Sequence, residues 1–131
     1  MQRQMCIRDR SINPLTVLVT IAMFVLVFVL GFVLQRRSRP HNVLLLTAHK
    51  LLALAALILM ILTVIRINRA TPLATATLVV AAATALFFVV AIISGGLVST
   101  DKAAPPIALL LHRVTPSVTV AGAAATYFFL L

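Results

Sequence analysis

A chain of 131 residues that is 63% hydrophobic and 10% charged carries more apolar side chain than a soluble domain of that size can bury. Its formal charge of +9 is concentrated at the ends of apolar runs, with no basic face bearing stacking aromatics; this excludes the nucleic-acid reading and fits the flanks of membrane helices. A single cysteine excludes an intrachain disulfide and a cysteine-rich metal site, and there is no Cys-x-x-Cys-His for covalent haem attachment.

The opening residues, "MQRQMCIRDR", resemble a translated sequencing-adaptor read-through of the kind found at the ends of open reading frames in environmental assemblies. Residues 1–10 are therefore expected to be a non-native or disordered tail, and Arg3, Cys6, Arg8 and Arg10 are given no weight. Four apolar runs follow, at residues 15–34, 43–65, 73–98 and 107–131. Each is long enough for a helix rising ~1.5 Å per residue to cross a ~30 Å hydrocarbon layer. Backbone amides find no water in lipid, so such runs form helices or closed barrels, and these are too uniformly apolar for barrel strands. The first run ends in Gln35-Arg36-Arg37 rather than in a small-residue cleavage site, so it is read as a retained helix rather than a signal peptide.

The connections are short and polar: "QRRSRPH" at 35–41, "NRATP" at 68–72 and "STDKAAPP" at 99–106, with Gly95-Gly96 expected to loosen the end of the third helix. Short links make successive helices antiparallel. The predicted fold is an all-α, up-down-up-down four-helix membrane bundle forming a single domain.

Two helices carry side chains that are costly at membrane depth: His49-Lys50 in the second and His112-Arg113 in the fourth. The pairs are 63 residues apart, and the same offset places Leu15 on Leu78, Phe24 on Phe87 and Gly31 on Ser94. A parallel repeat of two helices per half follows, with its axis along the membrane normal. Helices two and four then run in the same direction, and both imidazoles lie at similar depth in one leaflet. Helical spacing puts His49 on a face with Ala53, Ala56 and Met60, and His112 with Pro116, Thr119 and Ala123.

Neutral imidazole is a good axial ligand for iron, and Lys50 and Arg113 lean toward the interface where anionic propionates would lie. In the helix plan and these two histidines the chain resembles membrane b-type cytochromes. The resemblance implies one haem b held by His49 and His112, with Lys50 and Arg113 beside it, and electron transfer with a quinone or a separate redox subunit. It departs in having no second histidine pair, so one haem is the most it supports. A single membrane histidine is more often a hydrogen-bonding contact between helices, and a basic residue near a helix start often merely snorkels. A structural or assembly subunit, or a small quinone- or lipid-binding protein, are the alternatives.

The remaining residues carry no catalytic pattern. Asp9 and Asp101 are the only acids, and there is neither a Gly-rich phosphate loop nor a His-Glu-x-x-His. His41 is expected at the headgroups. Thr16, Thr20, Thr75, Thr77 and Thr84 are expected to bond their own helices, and Tyr127 with Phe128 and Phe129 to form an interfacial anchor. The chain is expected in a bacterial inner membrane, and with the N-terminal arginines discounted the positive-inside rule puts the histidine side in the cytoplasm and both termini outside.

Overall fold

A computed structural model describes residues 13–37, 42–100 and 103–130. The N-terminal tail, Arg39, Pro40, His41, Asp101 and Lys102 lie outside the described residues. The described chain forms four helices: α1 (Pro14–Arg36), α2 (Val43–Ala70), α3 (Thr75–Val98) and α4 (Pro106–Leu130). All four are long and apolar enough to cross a bilayer, as expected of a multi-pass membrane protein.

Local chemistry sets the ends. Asn13 caps α1 by accepting from the Leu15 amide at 2.9 Å, with Pro14 as the first helical residue. Asn42 caps α2 in the same way, accepting from the Leu44 amide at 2.9 Å. Helix α2 runs beyond the apolar stretch, which ends at Ile65, and takes in Arg66, Asn68 and Arg69. Nothing there breaks a helix until Thr71, which precedes Pro72 and is pushed to extended backbone. Asn68, expected in the turn, is helical, and its Oδ1 accepts from the Leu73 amide across that turn at 2.9 Å. Gly95 and Gly96, expected to loosen the end of α3, are instead continuous with it.

Sequential helices pack against one another, and α3 with α4 most intimately. A methyl group added at Gly122 would run into the Thr84 hydroxyl, so the small residue is what allows the close approach. The ring of helices closes through Thr20 on α1 and Tyr127 on α4, whose oxygens are 3.0 Å apart. Thr20 already donates its hydroxyl hydrogen to the Thr16 carbonyl at 2.8 Å, so Tyr127 is the donor in this pair. Tyr127 is therefore a buried bridge, not the interfacial anchor its position suggested, whereas Phe128 and Phe129 are exposed on the lipid-facing surface. Tyr127→Phe is expected to lower unfolding free energy by about 1 kcal/mol, the scale of interhelical hydrogen bonds in bilayers. Steric-trap unfolding in bicelles would read this, and an unchanged value would show that the bond contributes nothing net.

The apolar core is at the end of the bundle away from the histidines. It comprises Ala56, Leu57, Met60 and Val64 of α2, Ala81 and Phe88 of α3, and Ala123, Tyr127 and Leu130 of α4. Most other large apolar side chains, such as Leu18, Leu62 and Leu86, face outward, as lipid contact requires.

Candidate functional site

The two histidines occupy equivalent places in two helical hairpins. His49 and His112 each lie six residues past the first residue of their helix, about 9 Å along the axis at ~1.5 Å per residue. Each imidazole is half-buried and turns onto the preceding helix of its own hairpin. His49 Nδ1 is 3.0 Å from the Val27 carbonyl oxygen of α1, and His112 Nδ1 is 3.3 Å from the Ala91 carbonyl oxygen of α3. A carbonyl only accepts, so Nδ1 carries the hydrogen in both rings. In the neutral ring, Nε2 is left with its lone pair.

A glycine stands beside each ring, one turn past the accepting carbonyl. An added Cβ at Gly31 would sit 3.0 Å from His49 Cε1, and one at Gly95 would sit 2.7 Å from His112 Cε1. Glycine is needed at both positions because the imidazole fills the space a side chain would take. No sequence signal pointed to this: Gly31 entered only as a repeat position set against Ser94, and Gly95 read as a helix end.

These contacts correct the register of the repeat. Between α1 and α3 the equivalent residues are 64 apart, pairing Thr20 with Thr84, Phe24 with Phe88, Val27 with Ala91 and Gly31 with Gly95; between α2 and α4 they remain 63 apart. The one-residue difference lies between glycine and histidine, which are 18 residues apart in the first half and 17 in the second, because α3 ends sooner after its glycine than α1 does. Phe24 and Phe88 are now equivalent residues that meet each other, ring centroids 5.4 Å apart, which puts them on the pseudo-two-fold axis. Thr20 and Thr84 both bond back to the carbonyl four residues earlier, as do Thr63 and Thr126.

The faces below the histidines point inward. Ala56, Met60, Thr119 and Ala123 are buried, and Ala53 and Pro116 are half-buried. Pro116 has no amide hydrogen, so the His112 carbonyl loses its helical donor beside the site. At the histidine end, Leu34 and Ala108 are buried but belong to no shared apolar cluster. Here Lys50 Nζ donates across to Ser99 Oγ, just past the end of α3, at 2.8 Å, joining the two hairpins. Arg113 is exposed on the same end of the bundle, as are Arg37 and Arg36, the latter with its guanidinium carbon 4.4 Å from the Phe32 ring centroid.

A groove of about 410 Å³ lies where α1 ends and α2 begins, lined by Val33, Arg37, Asn42, Leu44, Leu45 and Ala48, and neither histidine borders it. Among the described residues there is no group of three or more His, Cys, Asp or Glu that could hold a metal ion. Comparison with protein-family models, with curated proteins and with solved structures finds no match.

Proposed function

We propose that this chain is an electron-transfer protein of the bacterial inner membrane that holds one haem b between His49 and His112. The observation that carries the reading is the tautomer. Both Nδ1–H groups are engaged by backbone carbonyls, which leaves both Nε2 atoms available as ligands and raises their basicity, the arrangement that ligating histidines adopt. One ligand comes from each hairpin, at equal depth, from helices running in the same direction. Lys50 and Arg113, adjacent to the ligands at the interfacial end, are the cations suited to a pair of propionates. Bound haem b would supply one-electron chemistry at its iron. The protein's own part is to orient two imidazoles, exclude water by apolar walls and set the ligand strength. A quinone or a separate redox subunit is the expected partner, with the histidine end cytoplasmic and both termini outside.

The same hydrogen bonds also favour a second reading, a structural or assembly subunit, because each histidine ties two helices together whether or not a ligand is present. The test is a dithionite-reduced minus oxidised spectrum of protein expressed with ample haem and purified in mild detergent. Sharp b-type bands support the cytochrome. Their absence, also after titration with haemin, would leave the structural subunit.

A further inference from the structure

We propose that Ser94 is a positioning residue that weakens the hydrogen bond of His112 by competing with it for the Ala91 carbonyl; its redox consequence rests on the haem reading above. Three donors converge on that one oxygen. Ser94 Oγ donates to it at 3.1 Å and His112 Nδ1 at 3.3 Å, and the Gly95 amide bonds it in the helical ladder of α3. A carbonyl oxygen has two lone pairs, so the site is oversubscribed. The equivalent oxygen in the first hairpin, that of Val27, takes His49 Nδ1 at the shorter distance of 3.0 Å. The residue there that matches Ser94 is Leu30, which has no hydroxyl to compete. Ser94 is buried, 2% exposed, so its hydroxyl has no water to turn to and stays on this carbonyl.

The bond that a ligand histidine makes through its second nitrogen sets how strongly the first nitrogen donates to a metal. His49 is thus the stronger and His112 the weaker of two otherwise equivalent ligands. A weaker donor stabilises ferric iron less, so Ser94 holds the midpoint potential higher than a symmetric site would.

The experiment has two arms. In haem-free protein labelled with 15N histidine, Ser94→Ala should move the His112 Nδ1–H resonance downfield, as a shortened bond does, and leave His49 unmoved. In haem-loaded protein, Ser94→Ala should shift the midpoint potential negative and Leu30→Ser should shift it positive, while Ser94→Thr, which keeps a hydroxyl, should stay near the parent. An unmoved His112 resonance would overturn the competition. An unmoved potential in a variant that binds haem normally would overturn the redox consequence. If no variant, nor the parent, binds haem, the cytochrome reading is what fails, and the resonance arm still decides the competition.

Discussion

If the proposed haem b is held by the two imidazoles, His49→Ala and His112→Ala should each abolish its b-type spectrum, and the double variant should fail to retain haem. On that reading a single remaining imidazole would hold the haem less firmly and the sharp reduced band would be lost; without either histidine, only apolar contact and the cations Lys50 and Arg113 would remain to retain it. The fold should survive. Each substitution removes one interhelical hydrogen bond of about 1 kcal/mol or less, which a bundle tied together along four helices tolerates. The truncation also opens space beside Gly31 or Gly95 of roughly the size of the missing ring, so added free imidazole should restore the single-variant spectrum. Recovery by imidazole would locate the ligand itself. Bands that persist unchanged in the double variant would sink the assignment of these residues, whatever holds the haem.

Gly95→Ala should do comparable damage with a single methyl group. At this position two effects oppose each other. Alanine is favoured over glycine in a helix by roughly 1 kcal/mol. Against this, the new Cβ would sit 2.7 Å from His112 Cε1, inside any real contact distance, and that imidazole is held in place by its bond to Ala91. Overpacking of this kind costs about 1–3 kcal/mol, so the clash wins and the ring must turn away from its carbonyl. Gly31→Ala, with its Cβ at 3.0 Å from His49 Cε1, should be milder. Gly96→Ala supplies the control: an added Cβ there meets nothing within 4 Å, so only the propensity gain remains. The ordering Gly95 worse than Gly31, with Gly96 neutral or stabilised, is read from unfolding, and from haem retention if the proposed haem binds. Equal effects at Gly95 and Gly96 would mean that the imidazole contact has no energetic weight.

Much of the architecture was legible from hydropathy, because the bilayer leaves so few options for a long apolar run. The number of helices and their antiparallel order follow from length and spacing, and so does the like position of His49 and His112 along their helices. What could not be read was anything decided by a neighbour distant in sequence. Tyr127, at a helix end among phenylalanines, has the composition of an interfacial anchor; only the approach of α1, carrying Thr20, makes it a buried donor. Gly95 is followed by a second glycine near a turn, the pattern of a helix stop, yet its role is set by a ring on α4. The repeat was found by its histidines but misaligned by one residue in the first half, since leucine-rich sequence matches itself at many offsets. Phe24 against Phe88, rather than against Phe87, needed three dimensions.

The axis through Phe24 and Phe88 has one more consequence. Two identical hairpins assembled as separate chains would have to carry every substitution twice, so the surroundings of the two ligands could only change in step. A covalent link between the hairpins removes that restriction. Leu59 stands where the second half has Gly122, Val64 where it has Tyr127, and Leu30 where it has Ser94. The first difference tightens one hairpin, the second locks the two together, and the third distinguishes the imidazoles. Joining the copies in one chain is what lets a symmetric frame become polar, with one side of its centre able to differ from the other.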